Sequence, residues 1–132
     1  MLKLPVEALA RQADMIVLGI VSQQESAWDA QHTAIHTDVS VVVERVLAGA
    51  PGDVVTLRVA GGIVGGMGMR TSNDPVFQDG ERVIVFLETT AVPSSVVGLE
   101  QGKFTVKDNL VSRAGETWSL EEFSAAIRTA AR

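Results

Sequence analysis

Hydrophobic and polar residues alternate along two segments of this chain, and the alternation predicts β-strands. Residues 35–43 place apolar or threonine side chains at every second position, and residues 54–59 repeat the pattern. A period of two residues is typical of a strand that buries one face. The pattern slips by one position at Glu44 and Arg45, which predicts a β-bulge in the longer strand.

Another segment is almost wholly apolar and is also predicted to be a strand. Residues 15–21 hold β-branched side chains around a central Gly19, as expected of a strand that is buried on both sides or bent where glycine relieves crowding. Further apolar runs lie at residues 81–88, 96–99, 104–106 and 110–112. The last two runs are expected to form a hairpin that turns on Asp108 and Asn109, since both residue types tolerate positive φ.

Helical periodicity occurs near each end of the chain. Residues 5–12 begin with Pro5, which suits a first helical turn, and their apolar side chains fall on one face. Residues 120–130 follow Ser119, a residue type that caps helices, and place Arg128 near the C-terminal end. Both helices are expected to cover apolar surface of the core.

Together these elements predict one mainly β domain spanning residues 1–132. A chain of 132 residues with 46% hydrophobic content can form one core but not two. Two short helices around five or more strands, the first bent and the second long, favour an OB-like antiparallel barrel that is closed or nearly closed. A seven-stranded sandwich is the alternative, which the uneven strand lengths and irregular turn spacing make less favoured.

Composition excludes several classes of function. The net charge is −5 with no basic run, so the surface would repel a phosphate backbone, and nucleic acid is not an expected partner. The chain has no cysteine, which removes disulfides, thiol chemistry and cysteine-ligated zinc. No apolar stretch is long enough for a membrane span. The sequence also gives no reason to expect a cofactor.

A glycine-rich tract is the most unusual feature of the sequence. Five of the eight residues at positions 61–68 are glycine, and the tract separates two strand-like runs. No Lys-Ser/Thr pair follows it, it lacks the third glycine of a dinucleotide fingerprint, and no helix opens after it, so a phosphate-binding loop is not favoured. The tract instead predicts a connecting loop whose shape is set by the backbone.

Candidate binding residues lie in and beside this tract. They are Gly65, Gly66, Met67, Gly68, Met69 and Arg70, together with Trp28. Exposed methionines adapt to varied partners, although buried ones only fill gaps. An exposed tryptophan is a common binding residue, although a tryptophan that closes one end of a small barrel is commoner. The sequence therefore predicts a protein-binding loop, with a purely structural connection as the alternative.

Three segments carry a family resemblance: ADMIVLGIV at 13–21, VSVVVERVLAG at 39–49 and GERVIVFL at 80–87. They resemble an uncharacterised bacterial exported domain that is often associated with matrixin-type metalloproteases. More distantly, the chain is similar to the netrin-like module of tissue inhibitors of metalloproteinases, which is an OB-type barrel.

This resemblance implies an OB-like fold, an extracytoplasmic location with a leader that is not part of this sequence, and a protease or other protein as partner. The inhibitors chelate the protease zinc through an N-terminal cysteine. This chain has no cysteine, so that mechanism is not carried over.

Two histidines are the other candidates for chemistry. His32 and His36 share one strand face, as a metal site would require. The rise of a strand separates them by about 13 Å, too far to share one ion, so no metal site is expected. The serines lack the G-x-S-x-G setting of a nucleophile elbow.

The sequence thus predicts a non-enzymatic module that binds a protein or peptide. The alternatives are a structural accessory domain without a separate ligand and, least favoured, a small metal protein or enzyme that uses His32 and His36. A binding loop should expose apolar side chains, whereas a structural loop should be packed.

Overall fold

The computed structural model describes residues 4–69, 75–90 and 92–130. Two α-helices flank the β-structure in the described chain. The elements are α1 Val6–Gln12, β1 Met15–Trp28, β2 Ile35–Ala48, β3 Val54–Ala60, β4 Gly62–Val64, β5 Met67–Met69, β6 Arg82–Glu88, β7 Ser95–Val96, a 3₁₀ turn Leu99–Gly102, β8 Lys103–Lys107, β9 Leu110–Arg113, β10 Glu116–Ser119 and α2 Leu120–Ala130. Neither helix is long and apolar enough to cross a membrane.

Eight strands form one sheet. Its order is β10-β9-β8-β6-β1-β2-β3, with β7 paired to β6, and β4 and β5 form a separate pair. The ladders between these strands are all antiparallel, so the prediction of a mainly antiparallel β fold is confirmed.

The sheet is not closed into a barrel, which differs from the prediction of a barrel. β3 approaches the segment before β7 at a single parallel bridge between Leu57 and Ser94. The Arg58 N–H donates to the Ser94 carbonyl oxygen over 2.8 Å. A single bridge replaces a ladder because β7 has only two residues and cannot pair along the length of β3.

The central hairpin of β1 and β2 contains the predicted bulge. Its register passes from Leu18 opposite Arg45 to Gly19 opposite Val43, which leaves Glu44 unpaired in the ladder. A Cβ atom at Gly19 would lie 2.3 Å from the Val42 carbonyl oxygen. Glycine is therefore required here because the two backbones approach closely.

β1 runs to Trp28, seven residues beyond the predicted strand. Residues 23–28 are largely polar, and they extend the strand by pairing with residues 35–40 of β2. Backbone pairing with a distant segment determines this extension, and the local hydrophobic pattern does not reveal it.

Two hydrophobic clusters lie on opposite faces of the sheet. One contains α1, α2 and the sheet residues Ile16, Leu18, Ile84, Phe86, Phe104, Val106 and Val111. The other contains Val17, Val21, Val39, Val41, Val55, Leu57, Phe77, Val83, Val85, Leu87 and Val96. β1 and β6 contribute alternate residues to both clusters, which explains why their sequences are almost continuously apolar.

α2 confirms the prediction of a capped C-terminal helix on the core. The Glu122 N–H donates to Ser119 Oγ over 3.1 Å, and the Ser119 N–H donates to Glu122 Oε1 over 3.3 Å. This reciprocal pair is a capping box. On the buried face, the Phe123 ring lies 4.7 Å from that of Phe104 and 6.1 Å from that of Phe86.

Candidate functional site

The glycine-rich tract forms a β-hairpin instead of an irregular loop. β4 and β5 pair with Val64 opposite Met67, and Gly65 and Gly66 make the two-residue turn with φ of 55° and 83°. Positive φ at both positions is the geometry of a type I′ turn, for which Gly-Gly is a favoured sequence. That dipeptide between two short apolar segments was the sequence signal for a hairpin.

The base of this hairpin is packed against the end of the β1–β2 hairpin. A Cβ atom at Gly62 would lie 2.5 Å from both Ser26 Oγ and Thr37 Oγ1. Thr37 Oγ1 lies within hydrogen-bonding distance of the Gly61 carbonyl oxygen and of Ser26 Oγ, each at 2.8 Å. The two hydroxyl groups therefore occupy the space that a side chain at Gly62 would need.

The outer part of the hairpin is exposed. Ile63 is 71% exposed, Met67 58% and Met69 40%. Cβ atoms at Gly65 and Gly66 would meet no other residue within 4 Å. Both turn glycines are therefore required for backbone conformation alone, and alanine at either would cost about 1 kcal/mol.

Met69 connects the hairpin to the region of Trp28. The Ile35 N–H donates to the Met69 sulfur over 3.3 Å, and Ile35 is paired with Trp28 in the β1–β2 register. The Trp28 ring stacks on that of His32, with centroids 4.0 Å apart and planes inclined by 21°. The fold thus brings two of the predicted binding residues, Met69 and Trp28, to neighbouring positions around Ile35. Arg70, another predicted binding residue, lies outside the described residues.

A groove of about 540 Å³ separates the hairpin from β1 and from the segment before β6. Its lining residues are Gln24, Ser26, Thr37, Gly62, Ile63, Gly68, Met69 and Asp79. Gln24 Nε2 donates to the Phe77 carbonyl oxygen over 2.9 Å and to Asp79 Oδ1 over 3.0 Å, which fixes the opposite wall. Sequence reasoning missed Gln24 and Ile63, although Ile63 lies within the tract itself.

The histidines are not brought together with further metal ligands in the described chain. His32 lies in the turn after β1 with φ of 59°, and His36 lies in β2 opposite Ala60. Across residues 4–69, 75–90 and 92–130, no three His, Cys, Asp or Glu side chains form a group that could hold a metal ion.

The two carboxylates near these histidines have structural partners. Asp29 accepts hydrogen bonds from the Thr33 hydroxyl and N–H, each at 2.7 Å, and these bonds lower its pKa. Asp38 forms an ion pair with Arg58 at 2.7 Å, and the hydrogen bond from that guanidinium lowers the pKa of Asp38. Asp29 therefore stabilises a turn, and Asp38 connects β2 to β3.

A second cavity, of about 460 Å³, lies beside β8 and β9 and is lined by both Lys103 and Arg113. Lys103 pairs with Glu81 at 2.7 Å, and Arg113 pairs with Glu116 at 2.9 Å. Both cations are thus neutralised by neighbouring carboxylates, so this cavity does not have the excess positive charge of an anion site.

The hairpin is an exposed element whose residues 61–69 carry no charge. No protein-family model matches this chain, and neither does any curated protein. The packed base, the exposed apolar side chains and the adjoining groove are accordingly the observations from which a function is inferred.

Proposed function

We propose that this chain is a non-enzymatic module that binds a protein partner through the β4–β5 hairpin. The observation that carries this proposal is the contrast between the packed base at Gly62 and the exposed Ile63 and Met67. Apolar side chains held in water by a fixed backbone become favourable contacts when a partner covers them.

The chemistry of the hairpin indicates an apolar partner surface. Met67 has an unbranched, polarizable side chain that can adapt to varied contacts. No charged side chain lies within residues 61–69. Binding therefore does not require water to be removed from a charged group of the hairpin. Trp28, at the neighbouring end of β1, provides a flat aromatic surface beside the site.

We also propose an OB-like, netrin-like fold, which the strand connectivity supports. β1, β2 and β3 form a meander, β6 is antiparallel to both β1 and β7, and β3 meets the segment before β7 in parallel. A five-stranded Greek-key barrel has this order of neighbours.

The family resemblance of residues 13–21, 39–49 and 80–87 further supports this fold and suggests an exported protein. It also suggests a matrixin-type metalloprotease as partner. This chain has no cysteine, so we propose contact through the hairpin surface in place of zinc chelation by a cysteine.

A structural accessory domain is the second candidate, and the hairpin base favours it. Thr37 is buried and its hydroxyl is within hydrogen-bonding distance of both Ser26 and the Gly61 carbonyl. A hairpin whose only role is to cover this end of β1 and β2 would show the same contacts. The two candidates differ in what substitutions at the exposed tip should do.

Binding to a purified matrixin-type metalloprotease domain from the same genome tests the proposal, measured by biolayer interferometry. We expect saturable binding that Met67→Asp or Ile63→Asp weakens by about tenfold or more, equivalent to ~1.4 kcal/mol. Leu110→Asp is the matched control, because Leu110 is 54% exposed on β9 against 58% for Met67. The control should bind like the parent.

Three results would contradict parts of the proposal. Equal binding by the parent and both hairpin variants would place the interface elsewhere. No binding by the parent would remove the protease as partner. If the hairpin variants also lowered the denaturant midpoint far more than Leu110→Asp does, the structural role would be favoured.

A further inference from the structure

The backbone of β5 has an outward-facing donor and acceptor at Gly68. In a two-residue hairpin the residues that flank the turn, here Val64 and Met67, exchange both backbone hydrogen bonds, and hydrogen-bonded pairs then alternate with non-hydrogen-bonded ones. Ile63 is opposite Gly68 in the register, so this is a non-hydrogen-bonded pair. The N–H and C=O of Gly68 therefore point away from β4.

No strand of the described chain pairs with this outer edge of β5. All three residues of β5 are exposed. A Cβ atom at Gly68 would have only ordinary contacts, the nearest being Ile63 Cγ1 at 3.7 Å. Another chain could therefore approach this edge without meeting a side chain at Gly68.

Apart from its short length of three residues, β5 lacks, within the described chain, the devices that usually prevent strand addition. Natural edge strands are protected by charged residues, proline, bulges or a covering segment. β3 carries Arg58, whose N–H is bonded to the Ser94 carbonyl oxygen, and β10 carries Glu116. β5 consists of Met67, Gly68 and Met69 alone and has no charge.

We propose that β5 accepts an extended peptide segment of the protein partner as a further antiparallel or parallel strand, hydrogen-bonded to the N–H and C=O of Gly68. This inference rests on the proposed function and specifies how the partner binds. Backbone bonds of this kind supply affinity, and the alternating side chains supply specificity.

The side chains of the hairpin define the chemistry of that segment. Alternate residues of a strand face opposite sides, so Met67 and Met69 lie on one face, and Ile63, beside the bare backbone of Gly68, lies on the other. An added residue next to Gly68 would contact Ile63, and its two neighbours would contact the methionines. The segment should therefore be uncharged and apolar on both faces at these three positions.

Replacing Gly68 by proline separates strand addition from side-chain docking. Gly68→Pro removes the outward N–H, which the β4–β5 ladder does not use, and its ring also fixes φ at about −65°. Proline is tolerated in edge strands at such positions. Gly68→Ala is the control for added bulk, because it keeps the N–H and adds a methyl group that makes only ordinary contacts. The Ile35 amide resonance, which reports the contact to Met69 sulfur, verifies that the hairpin is retained.

The probe is a set of fluorescein-labelled synthetic peptides selected from a random library displayed on phage, with binding to the full chain measured by fluorescence anisotropy. We expect Gly68→Pro to weaken binding by about tenfold or more and Gly68→Ala by less than about threefold. Amide exchange at Gly68, followed by NMR in the parent, should slow by about tenfold or more when the peptide saturates the site. This second measurement tests the proposal even if Gly68→Pro fails to fold.

Unchanged peptide affinity in a folded Gly68→Pro variant, or unchanged exchange at Gly68, would overturn strand addition. If Met67→Asp then still abolished binding, the hairpin would bind through side chains and the proposed function would stand. If neither variant affected binding, both would fail. A selection that yields no binding peptide would also overturn the inference. It would be overturned as well if the parent were a dimer that Gly68→Pro converts to a monomer, because the added strand would then come from a second copy of this chain.

Discussion

Individual glycines in this chain are required for two different physical reasons. At Gly19 a side chain would collide with the Val42 carbonyl oxygen, 2.3 Å from the Cβ position. At Gly62 it would collide with the hydroxyl groups of Ser26 and Thr37, and φ is also positive there, at 142°. At Gly65 and Gly66 the surrounding space is open, and only the positive φ requires glycine. The composition alone does not distinguish these cases, because each depends on what lies opposite in the fold.

Gly19→Ala should strongly destabilise the protein. The added methyl group must displace backbone of β2 at the bulge, and overpacking of this kind costs about 1–3 kcal/mol or more. Gly52→Ala is the control, since a Cβ at Gly52 meets nothing within 4 Å and its φ is not positive. Urea midpoints measured by circular dichroism provide the comparison. Equal midpoints for Gly19→Ala and Gly52→Ala would show that β2 moves aside at no cost.

Among the elements, α2 has a hydrogen-bonded serine at its N-cap and a second serine within the helix whose hydroxyl has no partner in the described chain. The Ser119 hydroxyl accepts the Glu122 N–H and caps the helix. Ser124 lies on the same helix, is 4% exposed, and its buried Oγ has no hydrogen-bond partner within the described chain. Removing the same oxygen atom from the two serines should therefore have opposite effects.

Ser119→Ala should lower the free energy of unfolding by about 1 kcal/mol, because the Glu122 N–H loses its partner at the helix N-terminus. Ser124→Ala should be neutral or stabilising by up to about 1 kcal/mol, since it removes a desolvated hydroxyl without breaking a bond. Guanidinium titrations of the two variants beside the parent give both values. A loss of stability in Ser124→Ala as large as that in Ser119→Ala would indicate a partner for Ser124.

At the scale of the whole molecule, two hydrophobic clusters are joined through β1 and β6. Ile16 and Leu18 face the helices, whereas Val17 and Val21 face the opposite cluster. A strand that contributes to both clusters cannot leave one without exposing the other. The two faces are therefore expected to unfold together, although β4 and β5 lie outside the main sheet.

The two tryptophans allow this cooperativity to be measured. Trp118 packs edge-on against Phe123, with centroids 5.3 Å apart, while Trp28 lies at the end of β1 against His32. Fluorescence of Trp28→Phe and of Trp118→Phe therefore reports two separate regions. In each variant the fluorescence midpoint should coincide with that from far-ultraviolet circular dichroism. An earlier transition at Trp28 would show that the end of β1 and β2 unfolds by itself.

Local features of the sequence by themselves determined much of the secondary structure. The sequence predicted the alternation in β2, the bulge at Glu44, the helix cap at Ser119 and the turn at Asp108. Asp108 has a φ of 56°, as that turn requires. Each depends on residues within a few positions of one another, where periodicity and backbone preference act directly. Exposed methionines beside the glycines were one of two alternatives that the sequence left open, and Met67 and Met69 are exposed in the structure.

The long-range contacts of the fold determine that the glycine-rich tract is a hairpin with a packed base and an exposed tip. Gly62 fits beneath Ser26 and Thr37, residues that are 36 and 25 positions away. The sheet is not closed, since β3 meets the segment before β7 at a single bridge. Such contacts depend on which distant segments the strand order brings together, and no local pattern encodes that order. The free edge at Gly68 is likewise a property of the assembled sheet, since an edge exists only where no other strand of the described chain pairs.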